Sequence, residues 1–310
     1  MTDVLITEFM DRAAIERLSA RFRIHYDPDL PDKPDVLAQL VPEARALIVR
    51  NRTQVRGKIL NLAENLSCIG RLGVGLDNID TADCEARGIA VYPATGANDQ
   101  AVAEYVIAAT MILMRRAYHA RGLVEDGSWP RETLIGGEVA GKTLGLIGFG
   151  AIAREVAHRA GALGMDVVAH DPFLAGDDPA WELAKPVSLN DLLRQSDAVS
   201  LHVPLIEATR HLIGPDQVSL MREGAILINA ARGGVVDETA LIVDLRDGSL
   251  GGAALDVFET EPLTATAGGR FAGIDNLILT PHIAGLTRES NSRVSALVAG
   301  RVTAHLEELA

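Results

Sequence analysis

The run LGLIGFGAIARE, residues 144–155, constrains this chain more than any other stretch. An apolar strand, Leu144 to Ile147, runs into Gly148-Phe149-Gly150, and a helical pattern starts at once. Strand, tight glycine turn and helix N-terminus in that order make a cradle of backbone N–H groups suited to a pyrophosphate. The motif reads Gly148-x-Gly150-x-x-Ala153, and its third position asks only for close helix–strand packing. Roughly 20 residues on, a second apolar stretch, Met165 to Ala169, ends in His170-Asp171. An acid at that strand tip accepts from the hydroxyls of an adenosine ribose and would repel a 2′-phosphate, so the pattern points to NAD rather than NADP. His170 is read as a spectator.

A chain of 310 residues with 48% apolar residues suits two domains with sizeable cores. The formal charge of −13 argues against nucleic acid or an anionic membrane surface as partner, so an anionic substrate needs a local basic pocket. Cys68 and Cys84 are too few for a disulfide framework and are read as buried free thiols, which suits a reducing cytoplasm. The first residues carry Asp3, Glu8 and Asp11 without a basic segment, so no signal peptide is expected. The longest apolar run, Tyr105 to Met114, is too short for a bilayer and reads as a core helix.

Two arrays of alternating strands and helices follow from the pattern. The first has strands at Val4–Ile6, Ala46–Val49, Ser67–Gly70 and Ile89–Tyr92, with helices such as Ala13 to Leu18 and Ile59 to Glu64 between them. The second has six, at Leu144–Ile147, Asp166–Ala169, Ala198–His202, Ala225–Asn229, Gly252–Asp256 and Leu277–Leu279. Such alternation implies parallel sheets covered on both faces. The expected fold is α/β, with a doubly wound parallel-sheet domain for NAD and a smaller flavodoxin-like substrate domain, ligands lying in a cleft between them. Between the arrays run a helix, Asp99 to about Met114, and an irregular stretch, Arg121 to Gly141. A last helical pattern, Glu289 to Leu309, could return to the first array. The expected domains are then 1–97 with 286–310, and 98–285.

Ligands of open α/β sheets lie at the carboxyl ends of the strands. Three polar residues sit just past such ends: Arg232 in INAARGG, Glu261 in ALDVFETEP and His282 in LTPHIAG. Each alone could be a solvated charge or a turn residue. Together on the NAD side of one sheet they form a chemical set. An imidazolium can give a proton to the oxygen of a ketone that receives a hydride, and neutral imidazole can take it back. A carboxylate beside the ring raises its basicity and fixes its tautomer. A guanidinium can grip a substrate carboxylate. Those are the needs of a 2-hydroxy acid dehydrogenase. No Cys/His cluster suggests a metal.

At these residues the chain resembles the D-isomer-specific 2-hydroxyacid dehydrogenases over nearly its whole length. The resemblance is carried by GRLGVGLDNID (70–80), NDQAVAEYV (98–106), GKTLGLIGFGAIA (141–153), SDAVSLHVPL (196–205), LMREGAILINAARGGVVDETAL (220–241), GGAALDVFETEPL (251–263) and NLILTPHIAGLT (276–287). It implies that His282 is the acid–base residue, Glu261 its partner and Arg232 the substrate anchor. It implies that backbone N–H groups of Gly73, Val74 and Gly75, beside Leu72, cup the substrate carboxylate. The implied cofactor positions are Gly148, Gly150, Ala151, Ile152 and Asp171; Asn98; His202, Val203, Pro204 and Thr209; Ala230, Ala231 and Arg232; Asp256 near the carboxamide; and His282, Ala284 and Gly285. It implies a homodimer built through about 98–141. Two departures stand out: Ala101 where serine is frequent, and Leu72 in place of a smaller residue, which is expected to narrow the pocket.

For the substrate the best clue is VRNRTQV. In extended backbone Arg50 and Arg52 would point the same way, so two guanidinium groups could converge on a second anion such as phosphate or sulfonate. The alternative is an exposed basic strand end. Similar arginines occur in phosphoglycerate dehydrogenases, and Arg71 either adds charge or pairs with an acid. A chain ending at Ala310 leaves no room for the regulatory domain many of those enzymes append. The opening DVLITEFMD, with ALIVRNRTQV and GRLGVGLDNID, is similar to the sulfolactate dehydrogenase branch, where a D-type carbinol is named S because sulfur raises the priority of the side arm. Phosphohydroxypyruvate, hydroxypyruvate and glyoxylate stay open as substrates. Formate dehydrogenases share the fold but are expected to carry Gln at 261, and phosphite dehydrogenases are closer. In another class, a non-catalytic, corepressor-like NAD-sensing protein could retain the whole site.

Overall fold

A computed structural model describes residues 2–309 of the chain. It divides into two compact units, Met1–Asn98 with Leu286–Ala310, and Asp99–Gly285. The first unit holds a parallel sheet of β1 (Val4–Ile6), β2 (Ile24–Tyr26), β3 (Ala46–Val49), β4 (Cys68–Arg71) and β5 (Ala90–Pro93). Their order is β2-β1-β3-β4-β5, the flavodoxin-like arrangement. Strands β1, β3 and β4 are buried throughout, which is why they read as unbroken apolar runs. Strand β2 escaped the sequence reading because Ile-His-Tyr is a short, half-exposed edge with no apolar run.

One face of this sheet is covered by helices Arg12–Ser19 and Arg288–Glu308. Asp11 caps the first by accepting from the Ala13 N–H at 3.0 Å, and Thr287 caps the second by accepting from the Ser290 N–H at 3.0 Å. The last helix sits so close to β4 that a Cβ on Gly70 would lie 2.5 Å from Val298 Cγ1. Cys68 and Cys84 are buried and free, and burial pushes the Cys68 thiol up to about 12.

The second unit has β6 (Thr143–Ile147), β7 (Asp166–His170), β8 (Lys185–Pro186), β9 (Ala198–Leu201), β10 (Ile226–Asn229), β11 (Gly252–Leu255) and β12 (Leu277–Leu279). They pair in parallel as β12-β11-β10-β9-β6-β7-β8. This corrects the six strands expected: the seventh, β8, is two residues at an edge and contains proline, so no apolar pattern marks it. The order reverses between β6 and β9, the switch point at which doubly wound sheets bind ligands. The run read as a core helix forms Asp99–Arg115, burying Ala103, Val106 and Leu113. The stretch after it, read as irregular, contains a short helix, Arg121–Glu125. Among the described residues no helix is long and apolar enough to cross a membrane.

Gly70→Val should overpack the contact between β4 and the last helix. We expect unfolding in denaturant at a lower midpoint, with a loss of about 1–3 kcal/mol.

Candidate active site

In the second unit three strand ends meet at the glycine turn. The Gly148 N–H donates to the His170 carbonyl at 2.8 Å. Gly148 has φ of 84°, and a Cβ there would lie 2.5 Å from the His202 carbonyl oxygen just past β9, so only glycine closes this turn. Asp171, at the tip of β7, accepts from the Phe149 N–H at 2.8 Å and from the Phe173 N–H at 3.0 Å. Its carboxylate therefore pins the turn to the strand tip where a ribose would lie.

Helix Ala151–Ala162 starts from Gly150 without a side-chain cap. A Cβ on Gly150 would meet nothing within 4 Å. The space over Gly150 is thus open beside the uncapped first turn that carries the N–H groups of Ala151 and Ile152, as a pyrophosphate requires. The residues present fit NAD. His202 is half-buried, its Nε2 is shut off from solvent and has no hydrogen-bond partner among the described residues, and burial holds the imidazole down to about 4, so it is neutral. Thr209 Oγ1 lies 2.6 Å from the Pro204 carbonyl and accepts from the Ile206 N–H at 2.8 Å, closing the loop that carries Val203 and Pro204. Asn98, in the other unit, also buries its Oδ1 with no hydrogen-bond partner among the described residues.

The same sheet edge carries the proposed chemistry. Asn229, the last residue of β10, folds the next turn back on itself. Its Nδ2 donates to the Arg232 carbonyl at 2.9 Å, and its Oδ1 accepts from the Ala231 N–H at 3.1 Å. Ala230 and Ala231 lie in that turn, and Arg232 Nη1 donates to the Ala231 carbonyl at 2.5 Å. One residue past β11, Asp256 is buried with both carboxylate oxygens in use. Oδ1 accepts from Thr280 Oγ1 at 2.6 Å and the Ile283 N–H at 2.8 Å, and Oδ2 accepts from the Ala284 N–H at 2.8 Å. The Asp256 carbonyl accepts from the His282 N–H at 2.8 Å. Behind Thr280, the Tyr105 hydroxyl is 2.7 Å away.

The turn from Thr280 to Ala284 is thus wrapped around one carboxylate. That grip holds His282 at φ of 57°, a left-handed conformation costing a non-glycine residue roughly 1–2 kcal/mol. The outcome is a dyad. His282 Nδ1 is 2.8 Å from Glu261 Oε2, and Glu261 Oε1 accepts from the Phe258 N–H at 3.0 Å. Burial pushes the Glu261 carboxyl up, but hydrogen bonds from His282 and the Phe258 N–H, with the charges of His282 and Arg232, hold it below its ordinary value. A carboxylate on Nδ1 requires the proton there and leaves Nε2 for exchange with a substrate.

The Arg232 loop also abuts the Glu261 loop. A Cβ on Gly233 would lie 1.7 Å from the Phe258 carbonyl oxygen. Beside it, the Glu238 N–H donates to Glu259 Oε1 at 3.2 Å, and the Glu259 N–H donates to Glu238 Oε1 at 2.6 Å. His282, Glu261 and Arg232 are therefore gathered at the carboxyl end of one sheet.

In the first unit the expected convergence of Arg50 and Arg52 is corrected. Strand β3 stops at Val49, and the next four N–H groups turn inward onto Glu8. Arg52 is exposed and pairs with Asp32. Arg50 is half-buried: Nε donates to the Leu72 carbonyl at 3.3 Å and Nη2 to Asn291 Oδ1 at 2.6 Å, with the Phe9 ring 5.8 Å from its Cζ. Leu72, expected to narrow a pocket, turns its side chain into the core of this unit, 2% exposed. The Arg71 guanidinium lies where a Cβ on Gly73 would be, and the buried Gly73 N–H, expected to face a substrate carboxylate, instead donates to the Arg71 carbonyl at 2.8 Å; Val74 and Gly75 are partly exposed. Sequence reasoning missed Asn229 and Glu8, and assigned Asp256 only to the cofactor. The available signal was a lone polar residue at or within two positions of the end of a buried strand.

Residues 107–284 match the family model described as D-isomer specific 2-hydroxyacid dehydrogenase, NAD binding domain. The chain is 52% identical over 303 residues to the (S)-sulfolactate dehydrogenase of Chromohalobacter salexigens, covering 97% of each. The chain belongs to the D-isomer-specific 2-hydroxyacid dehydrogenase family. It is 39% identical over 291 residues to a hydroxypyruvate reductase of Thermotoga maritima, covering 94% of each. The D-lactate dehydrogenase of Aquifex aeolicus, solved with NAD and lactic acid, matches with a TM-score of 0.88 at 30% identity, covering 99% of this chain and 96% of that one. This dehydrogenase is thus an NAD-dependent oxidoreductase of 2-hydroxy acids.

The two glycines of the turn should fail differently. Gly150→Ala meets no protein atom, so its unfolding free energy should stay within about 1 kcal/mol while calorimetric NAD affinity falls about tenfold or more. Gly148→Ala meets the His202 carbonyl at a positive φ and should lose about 2 kcal/mol or more of stability.

Proposed function

We propose that this enzyme interconverts a three-carbon D-2-hydroxy acid bearing a second anionic group with its 2-keto acid, a sulfolactate- or phosphoglycerate-like substrate. The observation that carries the reading is Arg50. Among the described residues its hydrogen-bond partners, Leu72 O and Asn291 Oδ1, are both neutral. No bonded anion takes up its charge, the Glu8 carboxylate acting on it only at a distance, whereas Arg52 is already beside Asp32. The name of the sulfolactate dehydrogenase relative supports the same substrate class.

Distal-anion recognition is assigned to the first unit, with the backbone N–H groups of Val74 and Gly75 for the substrate carboxylate. Hydride chemistry is assigned to the second unit. When bound, NAD supplies the hydride acceptor of the oxidative direction. His282 Nε2 takes the proton of the substrate hydroxyl, and in reduction gives it to the ketone oxygen. Glu261 keeps the proton on Nδ1 and stabilises the imidazolium between those events. Arg232 orients the carboxylate and the reacting carbonyl by charged hydrogen bonds. Asp171 would accept from the ribose hydroxyls of bound NAD. Asp256 acts by holding the turn that presents His282.

We further assign a homodimer built through about 98–141. Supporting it is the apolar surface there: Tyr118, Trp129 and Ile135 are exposed by 68%, 73% and 74%, with Leu123 and Val124 beside them in sequence. The two free thiols favour a reducing cytoplasm.

The test is NADH consumption with 2-keto acids that differ only in a terminal hydroxyl, phosphate or sulfonate. A preference for the anionic forms of tenfold or more in kcat/KM, or about 1.4 kcal/mol, is expected. Equal rates would favour a hydroxypyruvate or glyoxylate reductase, and no turnover would favour an NAD-sensing protein. His282→Ala should lower kcat by about 10² to 10⁴ while leaving NAD affinity close to wild type. Full activity in that variant removes His282 from its role. Light scattering should give the mass of two chains, and Trp129→Glu with Ile135→Asp should give one.

A further inference from the structure

We propose that Glu8 and Asn291 are positioning residues that aim Arg50, and that together they set the preference of this enzyme for substrates with a second anionic group. The inference rests on the reading of Arg50 given above. Glu8 lies two residues past β1 and is 3% exposed. Oε1 accepts from the N–H groups of Arg50 at 2.9 Å and Thr53 at 3.0 Å, and Oε2 from those of Asn51 at 3.3 Å and Arg52 at 3.1 Å. Four consecutive donors thus converge on one carboxylate. The hydroxyls of Thr7 and Thr53, 2.8 Å apart, tie the far end of the loop to the same strand end.

A buried carboxylate is costly unless its oxygens are satisfied, and here they are satisfied by backbone N–H groups. Glu8 therefore shapes the loop without hydrogen-bonding the guanidinium of Arg50, on which its charge acts only at a distance, so Glu8→Asp, which keeps that charge, separates the two effects. That guanidinium is held by a carbonyl, an amide oxygen and an aromatic ring. Three neutral contacts fix the direction of the side chain while leaving its charge uncompensated by a bonded anion. An aspartate at 291 would have nearly the same shape as Asn291 but would neutralise Arg50. Amide and carboxylate at this position thus separate holding the arginine from quenching it.

The experiment compares kcat/KM for sulfopyruvate with that for hydroxypyruvate, NADH saturating, in Arg50→Met, Glu8→Gln and Asn291→Asp. Glu8→Gln places an amide donor against the loop donors and should release the loop. Asn291→Asp should quench the charge with the fold intact. In both, the sulfopyruvate preference should fall about tenfold or more, through KM, as expected when a charge-assisted contact is lost. Melting temperatures with NADH bound report folding. Should Glu8→Gln not fold, Glu8→Asp, which keeps the charge but retracts it by one methylene, reads the same ratio. A purely structural Glu8 would lower both substrates equally. Preference lost in Arg50→Met but kept in the Glu8 and Asn291 variants overturns this inference alone. Preference kept in Arg50→Met overturns the distal-anion reading, and this inference with it.

Discussion

The carboxylate of Asp256, buried at the end of β11, is the contact on which the pairing of His282 with Glu261 hangs. It accepts from Thr280, Ile283 and Ala284, and its own carbonyl accepts from His282. Without it the turn would have buried donors with no partner, and nothing would hold a histidine in the left-handed region. The histidine must be there for its Nδ1 to meet Glu261, and Glu261 must be ionised for Nδ1 to keep its proton. The contacts that hold Glu261 below its ordinary value are the contacts that place it: the histidine, the Phe258 N–H and the field of Arg232. Geometry and protonation are one arrangement here.

That carboxylate is one of a set. Asp171 accepts two backbone N–H groups at the tip of β7, and Glu8 accepts four beyond β1. Glu238 and Glu259 bond each other's N–H groups beside the Arg232 and Glu261 loops. The physical cause is common to parallel sheets. At the carboxyl end of each strand the chain turns away, and its next N–H groups lose the ladder that satisfied them. A carboxylate with two oxygens can collect several such donors and fix the loop in one shape. A formal charge of −13, read as a barrier to polyanions, thus includes charges that build the site.

Family membership and the glycine turn were legible because they rest on local rules. Gly148 needs a positive φ and a carbonyl at its back, Gly150 needs open space over a helix end, and buried parallel strands must be apolar on both faces. These demands act on residues adjacent in sequence, so the residues announce them. Strands β2 and β8 were invisible for the converse reason: edge position and pairing, not composition, make them strands. The expected convergence of Arg50 and Arg52 assumed that the extended chain continued, and a glutamate some forty residues away bends it.

Sequence alone determined the sheet type, the glycine turn, the family and its cofactor, because hydrophobic period, glycine and charge act over a few residues. Tertiary structure decided which of those residues touch. It set His282 on Glu261 through the grip of Asp256, gave Asp32 to Arg52, and left Arg50 with neutral partners. Those outcomes depend on distances between strand ends far apart along the chain, and no local pattern encodes such a distance.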